Sequence, residues 1–181
     1  MSSSNEHLYT FNDYWNLPEG VRSDLINGQL YIRQTPYMIH AKLIGALMAK
    51  IYDYLDKFHP TYELLLGPLA VNPDGRKINW VEPDLFMTSD PNKITEQYFI
   101  GAPDWVIEVT SFDSRFTDYI RKSAVYYEAG VREYWIIDPE KEHTMVFCFE
   151  ADAAPVIYRF DQVVPVGCLG QLTITIKDFL K

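Results

Sequence analysis

The sequence predicts an α+β (α/β) domain, a mixed central β-sheet flanked by helices with additional β-hairpins, and three observations carry that reading. From His40, HAKLIGALMAKIYDYLDKF places Leu43, Ile44, Leu47, Met48, Ile51, Tyr54, Leu55 and Phe58 at helical spacing, so one face of a long helix is core. Runs rich in Val, Ile, Trp, Tyr and Phe recur along the rest of the chain, separated by turn signals. Asn27-Gly28 joins DLI to QLYIR, the residue pair preferred in two-residue hairpin turns.

Taken in order, the elements begin after a loose terminus at residues 1–9, and residues 10–181 form a single domain. Thr10 is suited to cap a short helix that ends before Pro18. The Asn27-Gly28 hairpin and the long helix follow, then YELLLGPLAV and a strand from Ile78 to Thr88 that carries Asp84. WVIEVT at 105–110 is a strand with Val106, Glu108 and Thr110 on one face and Trp105, Ile107 and Val109 on the other. A helix bearing Lys122 runs from near Ser114 to Gly130, a left-handed C-cap ahead of apolar Val131. REYWIID, TMVFCF, VIYRF and LTITI then read as strands, and IKDFL closes the chain.

Composition narrows the function classes. With 16 basic and 25 acidic residues the formal charge is −9, a field that repels nucleic acid unless a local basic patch forms. Arg115, Arg121 and Lys122, with Arg33, Lys42, Arg76 and Lys77, are the candidates for such a patch. Cys148 and Cys168 are isolated, without metal-ligand spacing, and are expected to be free and reduced. With no signal peptide and no membrane-length apolar run, a cytoplasmic protein without membrane partners is expected. Aromatic residues make up 15% of the chain, which marks the C-terminal strands as a candidate homodimer surface.

Two carboxylates stand out, Asp84 in VEPDLFM and Glu108 in APDWVIEVTS. Pro83 denies the ladder a donor, so Asp84 is expected at an edge or bulge, presented rather than buried. Glu108 sits inside an apolar strand, where an unpaired carboxylate is expensive, and a cation is the natural partner. Asp104 competes with Asp84, but four strand residues separate it from Glu108, roughly 13 Å at about 3.3 Å per residue. Oxygens sharing one Mg²⁺ lie about 2.1 Å from it. Asp104 is therefore read as a loop or strand-start residue. Each acid also has a bland reading, as a turn residue or a salt-bridged strand residue, and Lys122 follows Asp118 at the ordinary i,i+4 ion-pair spacing.

SDLINGQLY, His40, VEPDLFM, GAPDWVIEVTS and DYIRKSAVYYEAGVREYWIIDP, in that order, resemble the Uma-two-type family of endonucleases within the PD-(D/E)XK, restriction endonuclease-like superfamily. The resemblance runs over most of the chain. It implies Mg²⁺ or Mn²⁺ held by Asp84, Glu108 and the backbone carbonyl of Val109, with nucleic acid, DNA above RNA, as the partner. The superfamily lysine expected two residues after Glu108 is replaced by Thr110. The resemblance supplies Lys122 from the helix instead, as stabiliser of charge on the attacked phosphate. Asp24 matches the family's N-terminal glutamate with a methylene fewer, and Gln29 stands where an acid is common. His40 and Tyr126 are pocket candidates, against the alternatives of a cap-region histidine and a helix-packing aromatic. The competing readings are a catalytically silent binding module of the same fold and a metal-dependent hydrolase of another phosphate ester.

Overall fold

Asn27 and Gly28 lie at φ 50° and 75°, the left-handed values a type I′ turn requires at both centres. They join β1 (Ser23–Ile26) to β2 (Gln29–Ile32) in register, with Asp24 opposite Tyr31. The chain is described by a computed structural model over residues 7–180. Residues 1–6 of the expected loose terminus therefore lie outside the described residues, while Tyr9 donates its N–H to Gly28 O at 2.8 Å. The first helix, α1, spans Phe11–Trp15, and Asp13 accepts hydrogen bonds from the Thr10 N–H and hydroxyl.

The long helix α2 (Met38–Phe58) starts two residues before His40. It buries Leu43, Ile44, Leu47, Ile51 and Leu55 as its periodicity requires, whereas Phe58, on the expected core face, is exposed in the last turn. The stretch after α2 divides at Gly67-Pro68 into β3 (Glu63–Leu66) and β4 (Val71–Asn72). The strand expected from Ile78 to Thr88 is only β5 (Leu85–Thr88), because Pro83 can donate nothing to a ladder. Ahead of it Trp80 and Val81 make isolated bridges to Leu25 and Val71.

A two-residue strand that the sequence pattern does not disclose, β6 (Phe99–Ile100), pairs in parallel with β4. It is followed by β7 (Trp105–Val109). The expected helix over 114–130 is composite: Thr117–Lys122 follows π geometry and leads into α3 (Ser123–Ala129), which ends at Gly130 with φ 86°. The rest is β8 (Glu133–Asp138), β9 (His143–Cys148), β10 (Val156–Arg159) and the small β11–β12 pair (Val164–Pro165, Thr173–Ile174). IKDFL closes as a 3₁₀ turn.

Six strands form the central sheet in the order β10-β9-β8-β7-β5-β3, mixed because only β7 and β8 run parallel. Strand alternation sorts the two faces. Leu85, Met87, Trp105, Ile107, Val109, Trp135 and Ile137 pack against α2 and the C-terminal segment. Phe86, Val106, Tyr134 and Ile136 pack against Val125, Tyr126 and Val131 on the other side. Among the described residues no helix is long and apolar enough to cross a membrane, and Cys148 and Cys168 are free.

Candidate active site

Register places the two expected carboxylates together. β5 runs antiparallel to β7 with Leu85 opposite Ile107 and Phe86 opposite Val106. One step beyond this ladder sets Asp84 against Glu108, on the face carrying Phe86 and Val106. The Val109 N–H, past the end of β5, donates to Asp84 Oδ2 at 2.9 Å, so the carboxylate takes over from the missing backbone acceptor. Gly67 makes room for this bend: a Cβ there would collide with the Pro83 carbonyl.

Asp84 is only 6% exposed, which overturns the expectation that it would be presented at a sheet edge. The reason is placement: β5 lies inside the sheet, between β3 and β7, and the first turn of α2 reaches over the carboxylate. His40 Nε2 meets Asp84 Oδ2 at 2.9 Å and Arg33 Nη2 meets Oδ1 at 2.9 Å. Glu108 is deeper still. Its Oε1 accepts from Lys122 Nζ at 2.7 Å and from the Tyr126 hydroxyl at 3.3 Å. Its Oε2 is buried without a hydrogen bond, 3.6 Å from Arg33 Nη2.

Lys122 is completely buried, its ammonium also 3.1 Å from Asp24 Oδ2 and 3.5 Å from Asp118 Oδ1. Asp24, for all its shorter side chain, reaches this cluster, and its Oδ1 accepts the Glu82 N–H at 2.8 Å. Arg33 Nη1 donates to the Glu82 carbonyl and lies 3.9 Å from Asp24 Oδ1. Thus Asp84, Glu108, Lys122, Asp24, His40 and Tyr126 all converge, and Val109 contributes its N–H to the same centre. Thr110 turns its hydroxyl to Ser114, Gln29 donates to His7 O, and Asp104 accepts from Ser89, so none of these three bonds to the cluster.

Four carboxylates, Asp24, Asp84, Glu108 and Asp118, face two cations, Arg33 and Lys122, in a largely buried cluster. Burial raises the carboxyl of Asp84, but the His40 hydrogen bond and the Arg33 charge outweigh it and hold the group well below the carboxylate range. Glu108 moves the opposite way. Burial and the Asp84 charge push its carboxyl well above its ordinary value, although Lys122 opposes them. Burial and Arg33 lower Lys122, yet Asp24, Glu108 and Asp118 prevail and keep it charged. Two adjacent acids driven apart in this way are characteristic of functional sites.

Arg33 is the residue that sequence reasoning missed, having counted it only toward a surface patch. A signal was available: the Asn27-Gly28 register puts Asp24, Tyr31 and position 33 on one hairpin face. The surface patch itself is not assembled. Arg115 is bound to Asp138 and Glu140, Arg76 to Asp74 and Glu128, and Arg33 and Lys122 belong to the buried cluster. Above the cluster opens a cleft lined by β2, the start of α2 and residues 109–117.

The chain is a mixed α+β domain with two buried carboxylates side by side on one face of its central sheet. The sequence profile of the Uma2 family, described as "Putative restriction endonuclease", matches residues 10–177, and the chain belongs to that family. The fold is also that of a crystal structure described as a putative nuclease belonging to DUF820 from Anabaena variabilis ATCC 29413. The two share a TM-score of 0.74 and 22% identity over 94% of this chain and 96% of the other. No curated protein matches the chain.

Proposed function

We propose that this chain is a Mg²⁺- or Mn²⁺-dependent endonuclease that hydrolyses phosphodiester bonds in DNA. One observation carries the metal: Asp84 Oδ1 and the unbonded Glu108 Oε2 converge on a single guanidinium nitrogen of Arg33. A buried carboxylate oxygen without a donor is costly, and a cation between these two oxygens would remove that cost. Among the described residues no group of three or more His, Cys, Asp or Glu side chains is arranged to hold a metal ion. A two-carboxylate set suits magnesium, which keeps several waters. Asp84, Glu108 and the Val109 carbonyl are the assigned ligands.

A bound divalent ion would supply an activated water and neutralise charge on the attacked phosphate. The chain's own residues prepare that site. His40 and the Val109 N–H fix Asp84 through Oδ2, and Lys122 and Tyr126 fix Glu108 through Oε1; Asp84 Oδ1 and Glu108 Oε2 face Arg33 Nη2, whose place a bound cation would take. Lys122, wholly enclosed, acts on the phosphate through its field rather than by contact. Asp24 holds the ammonium in place.

Nicking of supercoiled plasmid DNA tests the reading: wild type with Mg²⁺ or Mn²⁺ nicks, Asp84→Asn does not, and chelation abolishes the activity. Metal binding without cleavage of DNA, RNA or any phosphodiester would leave a silent relative of the nucleases and overturn the assignment.

A further inference from the structure

The chain has seven arginines. Six are engaged by carboxylates: Arg22 with Glu82, Arg33 in the buried cluster, Arg76 with Asp74 and Glu128, Arg115 with Asp138 and Glu140, Arg132 with Glu150, and Arg159 with Asp161. Arg121 differs. It pairs with no carboxylate among the described residues, and its guanidinium lies 4.4 Å from the ring centroids of both Tyr31 and Phe116. Tyr31 lines one wall of the cleft, and Phe116 belongs to the 111–117 segment that forms the other. Arg121 therefore bridges the ring of cleft-lining Tyr31 to Phe116 on the neighbouring segment, with no carboxylate partner among the described residues.

Exposed apolar side chains lie in and beside the cleft. Ile32 and Tyr37 line one side, and Phe112 and Phe116, next in sequence to the lining residues Ser111, Asp113 and Thr117, are 71% and 60% exposed. A protein that tracks duplex DNA neutralises a row of phosphates with a row of cations; here the neighbouring arginines are already spent on acids. A cleft lined by acids as well as by acid-bound arginines, with one arginine beside it that has no carboxylate partner among the described residues and with exposed aromatic rings nearby, suits a strand whose bases are unpaired, since stacking replaces much of the phosphate contact.

We infer that Arg121 holds a phosphate of a single-stranded nucleic acid lying in this cleft, with Phe112 and Phe116 as stacking surfaces for its bases. This rests on the nuclease reading and specifies its substrate. The stacking of Arg121 on two rings presets the planar guanidinium, so a phosphate can be met bidentately with little further loss of side-chain freedom.

Fluorescence anisotropy with labelled single-stranded and duplex oligonucleotides, with Ca²⁺ in place of Mg²⁺, tests it. Expected are tighter binding of the single strand by wild type and about tenfold weaker binding by Arg121→Gln. The slope of log affinity against log salt should fall by about 0.7 for the one phosphate lost. Arg121→Lys should keep that slope while losing part of the affinity, and Phe112→Ala should weaken single-strand binding about fivefold or more. Arg121→Gln matching wild type in affinity and slope, while wild type still cleaves nucleic acid, would overturn this inference and leave the nuclease reading standing. Wild type that neither binds nor cleaves any nucleic acid would bring down the nuclease reading as well. Equal weakening of duplex and single-strand binding would overturn the single-strand assignment. A shift of the monomer–dimer equilibrium in Phe112→Ala by sedimentation, with oligonucleotide affinity unchanged, would give the surface to a second copy of the chain and overturn it too.

Discussion

Lys122→Met is the perturbation that most directly probes the buried cluster. The lysine is fully enclosed, and its ammonium lies within 3.5 Å of carboxylate oxygens of Glu108, Asp24 and Asp118. Methionine fills nearly the same volume, so the packing survives while three acids lose their shared cation. Removing one partner of a buried pair costs about 3–5 kcal/mol. For a chain of this size that corresponds to a fall in Tm of roughly 6–20 °C, at about 2–4 °C per kcal/mol.

The loss carries a pH signature. Burial and Asp84 already raise the Glu108 carboxyl well above its ordinary 4.5, and losing Lys122 raises it further. Protonation of the folded state then relieves the repulsion, so the destabilisation should be largest at alkaline pH. It should shrink as pH falls through the raised folded value toward 4.5. Urea denaturation followed by circular dichroism across pH 5–9 measures both effects. Glu108→Gln combined with Lys122→Met should recover part of the loss, because one buried charge goes with the other. An unchanged urea midpoint for Lys122→Met would refute the reasoning, since no cation with three buried carboxylate partners could be removed without cost. The same result governs interpretation of activity: lost nicking in a lysine variant indicates chemistry only if the variant is folded.

Arg33→Gln should bind Mn²⁺ about tenfold more tightly, a gain of ~1.4 kcal/mol, because Arg33 Nη2 contends for the Asp84 and Glu108 oxygens assigned to the metal. Isothermal titration reading equal or weaker binding contradicts that competition. The Asp138 carboxyl, which burial raises, is held below its ordinary 3.8 by Arg115 and the Lys141 N–H. Its contribution to stability is therefore present above pH 3.8 and lost as pH falls through the lower folded value. Arg115→Gln should flatten this acid limb of the stability profile, and an unaltered profile from denaturant midpoints at pH 2–5 would count against it. Gly67→Ala should cost about 1–3 kcal/mol by driving a methyl into the Pro83 carbonyl. Because the displaced residue adjoins Asp84, divalent-metal affinity should fall with it, and a variant as stable as wild type would show the carbonyl free to move.

Much of this architecture was legible before any coordinates. The Asn27-Gly28 turn, the apolar stripe of α2, the Gly130 cap and the parity of β7 rest on local periodicity and turn chemistry, which short windows of sequence contain. Parity also put Glu108 on the right face. What local windows do not contain is register between distant strands. Arg33 enters the site only through the pairing of β1 with β2 and the nearness of both to β5. The β4–β6 ladder is too short to have a period, and π geometry at Thr117–Lys122 has no compositional mark. Asp84 was expected to be exposed because proline suggested an edge, whereas Pro83 merely stops the strand from starting sooner.

That π segment sets a phase. The π turn accommodates one residue more than an ordinary helical path would over the same rise. Deleting that surplus residue between Thr117 and Arg121 would return the path to an ordinary helix with the downstream phase kept, whereas adding a further residue would rotate everything downstream by about 100° at 3.6 residues per turn. Lys122, Val125 and Tyr126 would then face away from the sheet together, stripping Glu108 of both donors in one step. Connecting segments usually tolerate insertions as well as substitutions. Here the two part: exposed Ile120 is open to replacement, but a residue added between Thr117 and Lys122 is not tolerated.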